Sequence, residues 1–207
     1  MPVTPMFPLG TVLVPGMLLP LQVFEPRYRR MLDDCLAGDR SFGVVLIERG
    51  SEVGGGDVRT DVGTQARILE AEELPDGRWA LVAVGVRRIR VDRWLPDDPY
   101  PRAEATDWPD EPGEAATSAG TRGTVVTLLR RAAALARELG LAAAPLDLEL
   151  DDDPVIAGYQ AILAAPLGAA DRQHLLAAPT LADRWTLLET LLTDQIELLE
   201  AQLAHGG

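Results

Sequence analysis

Residues 7–36 read FPLGTVLVPGMLLPLQVFEPRYRRMLDDCL. Apolar runs are cut by Pro8, Pro15 and Pro20 before Pro26 opens a stretch of different period. Proline lacks a backbone donor and breaks helices, so the runs before it read as short strands and turns. Beyond it, Tyr28, Met31, Leu32 and Cys35 recur at i, i+3, i+4 and i+7, the mark of a helix with one buried stripe. Pro26 suits the first turn of that helix and Gly38 its end, which sets it at Pro26–Ala37.

Outward from this segment, short Val, Ile and Leu runs alternate with Gly, Pro and Asp clusters as far as Trp108, a strand-and-turn rhythm. The expected strands are Met6–Leu9, Leu18–Val23, Ser41–Glu48, Gly63–Leu74, Trp79–Val84, Arg87–Arg93 and Arg102–Thr106, with Ser51–Asp61 as a hairpin tip. Pro75-Asp76-Gly77 predicts a tight turn. Trp79–Val84 is apolar on both faces and reads as a central strand. In Arg87–Arg93, Ile89 and Val91 point one way and Arg88, Arg90 and Asp92 the other, so that strand is half exposed.

The period then shifts from two to nearly four. Helices are expected at Thr121–Leu139, Pro154–Ala164, Ala169–Ala177 and Leu181–Ala204, with Asp153 and Thr180 as N-caps. In the last, Leu181, Trp185, Leu188, Leu192, Ile196, Leu199 and Leu203 form one stripe along about 36 Å of helix. The fold class is α+β: a β-rich subdomain at 1–108, a linker at 109–120 rich in Pro, Gly and acid, and a helical subdomain at 121–207.

The 207 residues include no lysine; all 19 basic residues are arginine, and the net charge is −13. Residues 1–108 carry 13 Arg against 17 acids, and residues 109–207 carry 6 against 15. Such acidity argues against a general nucleic-acid surface. Cys35 is the single cysteine, which excludes an intrachain disulfide and a Cys-rich zinc site and suits a reducing cytoplasm. The run Leu9–Leu21 is too short to span a bilayer and is not shaped like a signal peptide. A cytoplasmic protein without membrane association is expected.

Catalytic constellations are missing. Ser41, Ser51 and Ser118 are the only serines and none stands in a GxSxG elbow; His174 and His205 are the only histidines. Without lysine there is no Ser-Lys dyad, no Schiff base and no Walker A loop. Metal, cofactor and catalytic residues are therefore expected to be none. Cys35, on the apolar stripe, reads as buried core.

Two groups of residues remain as candidates. Glu25, Arg27, Tyr28 and Arg88 are expected to form a structural clamp fixing the helix to the sheet, Glu25 pairing with Arg27, Arg30 or Arg88. The stretch Val12–Leu21 carries more apolar residues than one core layer needs, which makes Val14, Met17, Leu18, Leu19 and Phe24 candidate peptide-contact residues in a groove. Arg87, Arg88, Arg90 and Arg93 form a local basic strip.

FPLGTVLVPGMLLPLQVFEPRYRRML resembles the opening of the Lon N-terminal, or substrate-binding, domain. Later elements follow in order: FGVV at Phe42–Val45, VGTQARI at Val62–Ile68, LPDGR at Leu74–Arg78, GVRRIRV at Gly85–Val91 and DRQHLLAAPTLADRWTLLETLL at Asp171–Leu192. The resemblance spans nearly the whole chain and implies a PUA-like β pseudo-barrel followed by a C-terminal α-helical bundle. Among the matching positions Phe7, Pro8, Pro15, Pro20, Gly43, Gly63, Asp76, Gly77 and Gly85 look architectural. The chain ends at Gly207, short of any ATPase or peptidase, so the expectation is a stand-alone Lon-domain protein, related to the S16 peptidase family by descent but not by activity. The implied function is non-catalytic recognition of unfolded or partner proteins, a protease or chaperone component among them. The alternatives are an RNA-binding PUA-like domain, or a small-molecule-binding domain or enzyme marked by a deep polar pocket.

Overall fold

The computed structural model describes residues 3–50, 56–111 and 119–205. The chain divides into two compact units, Met1–Pro109 and Asp110–Gly207. Among the described residues they hold six strands in one sheet and five helices, a mixed α/β composition.

The first unit contains β1 (Val3–Leu9), β2 (Leu18–Val23), α1 (Pro26–Ala37), β3 (Ser41–Arg49), β4 (Val58–Glu73), β5 (Trp79–Leu95) and β6 (Arg102–Asp107). The strand order is β2-β5-β4-β3-β1-β6, and β6 also pairs with β5, so the ladder β5-β4-β3-β1-β6 returns on itself. β2 stands outside that circuit, antiparallel to the first half of β5. β1 and β3 run parallel, because β2 and α1 make the crossover between them.

The stripe Tyr28, Met31, Leu32 and Cys35 of α1 is buried as its spacing requires. It meets Phe7, Phe42, Ile68, Leu81 and Ala83 from the strands in the main core. The Phe7 and Tyr28 rings stack with centroids 4.2 Å apart. A smaller core gathers Met6, Val45, Ile89, Val91, Ala103 and Ala105. The Pro75-Asp76-Gly77 turn forms, with Gly77 N–H donating to the Leu74 carbonyl at 2.8 Å and Gly77 at φ 77°.

Several expectations need correction. Trp79–Val84 and Arg87–Arg93 are one strand, β5, carried through a register shift opposite Gln65 and Ala66. The apparent break at Gly85 is a close approach: a Cβ there would lie 2.4 Å from the Val14 carbonyl oxygen. Gly85 N–H donates to Met17 O at 2.9 Å and Gly85 O accepts from Gly16 N–H at 2.8 Å, which lays the segment before β2 against β5. Of the expected hairpin tip, residues 58–61 belong to β4, and residues 51–55 lie outside the described residues. Gly38 ends α1 at φ −104°, while Arg40 takes the positive φ of 61°.

The second unit contains α2 (Ala119–Glu138), α3 (Pro154–Ala164), α4 (Ala169–Leu176) and α5 (Leu181–His205). Asp153 caps α3 by accepting from the Val155 and Ile156 N–H groups. Thr180 and Asp183 bond reciprocally at the start of α5, a capping box that satisfies donors at both positions. Leu181, Trp185, Leu188, Leu192, Ile196 and Leu199 are buried along α5, and Val125, Leu129, Ala132, Ala133 and Ala136 along α2. The connection from α2 to α3 is held by Arg122, whose guanidinium donates to the Leu150 and Asp151 carbonyls at 2.7 and 2.6 Å.

Asp110 and Glu111, expected in the linker, are bonded into this unit; residues 112–118 lie outside the described residues. Glu111 O accepts from Leu181 N–H at 2.8 Å. The Asp110 carboxylate accepts from both Tyr159 Oη and Arg184 Nη2. Arg184 has no exposed surface, donates from Nε to Leu175 O at 3.0 Å and lies over the Tyr159 ring at 4.6 Å.

Candidate functional site

Three adjacent strands of the first unit, β2, β5 and β4, set their side chains in rows. Strand pairing aligns Leu18 with Val84 and Arg67, then Pro20 with Val82 and Glu70, then Gln22 with Ala80 and Glu72. Side chains alternate across a strand, so these nine share the face opposite Leu81 and Ala83. Leu81 and Ala83 are core at 4% and 0% exposure, while Ala80, Val82 and Val84 are half-buried and Leu18 is 58% exposed. Strands about 4.8 Å apart make this face about 10 Å wide from β2 to β4.

A groove of about 610 Å³ follows its lower two rows, floored by Pro20, Ala80 and Val82 and walled by Glu70 and Glu72. That volume falls within the ordinary range for ligand sites. Glu70 and Glu72 are exposed and have no ion-pair partner among the described residues. Leu69, exposed at 48%, sits at the irregularity between Ile68 and Glu70 and adds to the apolar surface. β2 is the end strand of the order. Pro20 fits there because its missing N–H leaves no ladder bond unmade when it faces a free edge.

The expected contact residues separate into exposed and buried groups. Leu18 and Phe24 are exposed, at 58% and 56%, and Met17 is half-buried against the main core. Val14 and Leu19 are corrected to core, at 1% and 4% exposure. Val12–Val14 is buried against the sheet, where Thr64 Oγ1 donates to Leu13 O at 2.6 Å, and Leu19 has the inward parity of β2. Pro20, Val82, Glu70 and Glu72 were not among the expected site residues; the alternation Glu70-Ala71-Glu72 was the available signal, since it puts both carboxylates on one face.

The expected clamp is divided too. Glu25 pairs with Arg27 at 3.0 Å, and the Arg27 guanidinium lies over the Tyr28 ring at 4.5 Å. Arg27 also faces a second group, in which Arg59 bonds Asp57 at 2.6 Å and Asp97 at 3.0 Å and covers Trp94 at 4.7 Å. Burial pushes the Tyr28 hydroxyl up to about 12. Burial is the largest single influence on the Asp57 carboxyl and works to raise it, but the hydrogen bond from Arg59, a backbone hydrogen bond and the Arg59 and Arg27 charges together outweigh it and hold the group below its ordinary value. Arg88 is 2% exposed, donates to Trp108 O and Pro109 O at 3.1 and 3.3 Å and stacks on Trp108 at 4.0 Å, contacts that secure the end of the first unit.

The rest of the basic strip is similarly engaged. Arg87 pairs with Asp107 at 2.6 Å and Arg93 with Glu104 at 2.6 Å. A second cavity, of about 270 Å³, is lined by polar groups bonded to one another or to neighbours. Ser41 bridges Asp39 and Gln65 at 2.7 and 3.0 Å, and Asp34 accepts from Tyr100 at 2.9 Å. Cys35 at its edge is buried, and burial with the nearby Asp39 and Asp34 pushes its thiol up to about 12. This is the opposite of an activated nucleophile. No helix among the described residues is long and apolar enough to cross a membrane.

The chain is similar to known proteins along nearly its full length. It is 26% identical over 201 residues to Lon protease 1 of Herpetosiphon aurantiacus, covering 93% of this chain and 24% of that protein. It is 29% identical over 208 residues to Lon protease 2 of Thermus thermophilus, covering 98% of this chain and 25% of that protein. The chain thus spans about a quarter of the length of these curated relatives. A Lon N-terminal domain protein from Xanthomonas campestris superposes with a TM-score of 0.63 at 29% identity, over 93% of this chain and 98% of that one. The N-terminal domain of the Mycobacterium avium complex Lon protease gives 0.62 at 19% identity, over 93% and 99%, and speaks to the fold alone. The sequence pattern of the ATP-dependent protease La (LON) substrate-binding domain matches residues 3–194. With strand order, α1 and the helical unit in place across that whole match, the chain belongs to the Lon substrate-binding domain family.

Proposed function

We propose that this chain is a non-catalytic protein-recognition module that binds exposed apolar, extended segments of unfolded or partner proteins on the outer face of β2, β5 and β4. The observation that carries the reading is that open apolar face, with Leu18 and Pro20 exposed and Val82 half-buried, in a member of a substrate-binding family. Met17 and Phe24 flank it and extend the contact. Glu25, Arg27 and Tyr28 hold α1 in place behind it. The closed circuit of strands supports reading the first unit as a PUA-like pseudo-barrel. The working division is a β-rich subdomain at 1–108, a linker at 109–120 and a helical subdomain at 121–207. The ATPase and peptidase activities of Lon proteases are not carried over, because 207 residues without a lysine hold neither a Ser-Lys dyad nor a Walker A lysine. A single buried thiol suits the cytoplasm.

The test is binding of a fluorescently labelled, permanently unfolded client, with its heat-induced light scattering as a second readout. The purified chain is expected to bind the client and delay its aggregation without hydrolysing ATP or casein. The Leu18→Ser/Val82→Asp variant is expected to stay folded by circular dichroism and to lose most of that binding. Unchanged binding by this variant, or casein cleavage abolished by one substitution, overturns the reading.

A further inference from the structure

The groove is apolar on its floor and anionic on its wall. Glu70 and Glu72 lie beside Val82 and Ala80 on the same face of neighbouring strands, exposed and without a cation among the described residues. The nearby cations are engaged by other partners. Arg67 aligns with Val84, one row beyond the residues that line the groove; Arg78 is bonded to Asp76 at 2.7 Å and to Gln22 of the groove at 3.2 Å; and Arg40 is bonded to the Ile68 and Leu69 carbonyls at 3.3 and 3.5 Å. A purely greasy client would leave both carboxylates without a partner and partly desolvated, which costs free energy. An anionic client would meet direct repulsion.

We infer that this groove selects extended segments in which lysine or arginine is interspersed with apolar residues, and discriminates against acidic ones; the inference rests on the recognition reading above. Spacing supports it. Glu70 and Glu72 are two residues apart on one strand face, about 7 Å. An extended segment lying along them repeats its own downward side chains at the same interval, so alternate basic residues match alternate carboxylates. Lysine and arginine also fit the cross-section, because their aliphatic stems can cover Val82 and Ala80 while the charged head reaches the wall. The same wall disfavours nucleic acid and anionic lipid.

The test uses three labelled ten-residue peptides with one apolar pattern and lysine, glutamine or glutamate at alternate positions, bound to the full chain and followed by anisotropy. Two exposed ion pairs contribute modestly, so the lysine peptide should bind up to about tenfold tighter than the glutamine one, and the glutamate peptide weaker still. The gap should close in about 1 M salt, where the Debye length is about 3 Å. Glu70→Gln/Glu72→Gln should bring the three peptides within about twofold of each other. Asp194→Asn/Glu197→Gln, which removes equal charge from exposed positions on α5, should preserve the gap. A gap that survives Glu70→Gln/Glu72→Gln, or that the α5 control abolishes, overturns the selection. If all three peptides bind equally and Val82→Asp abolishes them, only the charge selection falls. If none of the peptides binds, the recognition reading falls with it.

Discussion

The Asp110–Arg184–Tyr159 knot of the helical unit and the outer face of the β-rich unit both set charge against apolar surface, and they use it in opposite ways. In the knot every element serves the fold. Arg184 has no exposed surface, its guanidinium is shared between Asp110, Leu175 O and the Tyr159 ring, and Asp110 also accepts from Tyr159. On the outer face Glu70 and Glu72 hold no ion pair among the described residues, and Val82 is half covered. Charge engaged inside the protein marks architecture; on the function proposed above, charge left open beside an open apolar floor is what a client would meet. The contrast makes a thermodynamic claim that substitutions can break.

The knot should give the largest effect. Asp110→Ala leaves a buried guanidinium without its carboxylate, and its Nη1 already has no hydrogen-bond partner. Removing one member of a buried pair costs about 3–5 kcal/mol, whereas replacing both by apolar groups is often neutral. In urea unfolding, Asp110→Ala should therefore be far less stable than Asp110→Ala combined with Arg184→Met. A cost below about 1 kcal/mol would put the knot in the class of surface pairs and remove one side of the comparison.

The next test stays within one strand. Leu81→Ala empties a core position at 4% exposure and should cost about 2–5 kcal/mol. Val82→Ala, next in sequence and on the open face, should cost less than about 1 kcal/mol, because its methyl groups lose little buried area. Denaturation midpoints at unchanged m-value measure both. Equal costs would mean that the outer face is packed as a core, and that no groove is available there.

How much of this the sequence discloses follows from where each signal resides. The α1 stripe, the Asp153 and Thr180 caps and the Pro75-Asp76-Gly77 turn are local, since each depends on residues within one or two turns of chain. The openness of the face is not local. Ala80, Val82 and Val84 alternate with Leu81 and Ala83, so β5 reads as apolar on both sides, but coverage depends on which elements the topology lays over it. Arg184 falls on the buried side of α5 by position, three after Leu181 and four before Leu188, but an arginine read by type alone belongs to solvent. Its burial requires Asp110, 74 residues away. Arg59 between Asp57 and Asp97 is hidden for the same reason, its second partner being 38 residues distant. Val14 and Leu19 read as surplus apolar residues because nothing nearby shows that Gly85 has no side chain to keep the Val14 carbonyl away.

The Arg59 group tests an intermediate case, with charges paired at the edge of solvent. Asp57 has its carboxyl held below the ordinary value of 3.8. A depressed value in the folded state means that the charged form stabilises the fold above the unfolded value and that this contribution disappears as pH falls through the folded one. Asp57→Asn should therefore cost about 1.5–3 kcal/mol at neutral pH, the range for hydrogen bonds to charged groups. Its deficit against the parent should shrink below about pH 4, as the parent carboxylate protonates. Thermal unfolding followed from pH 7 to pH 3 measures this; a deficit that stays constant or widens in acid would show that Asp57 is not held as the anion by Arg59.

The smallest expected effect sharpens the comparison most. Two carboxylates about 7 Å apart repel by about 0.6 kcal/mol in water, less once salt screens them. Glu70→Gln/Glu72→Gln removes that repulsion and breaks no ion pair among the described residues. Stability should then stay within about 0.5 kcal/mol of the parent, with any change in the stabilising direction and fading as salt is added. Asp110→Ala removes a single carboxylate and should unfold the chain several kcal/mol sooner; this double variant removes two and should leave folding alone. A loss above about 1 kcal/mol would mean that the wall carboxylates hold the sheet together. Glu70 and Glu72 would then belong with Asp110, as architecture, and the outer face would have no charge left to offer a client.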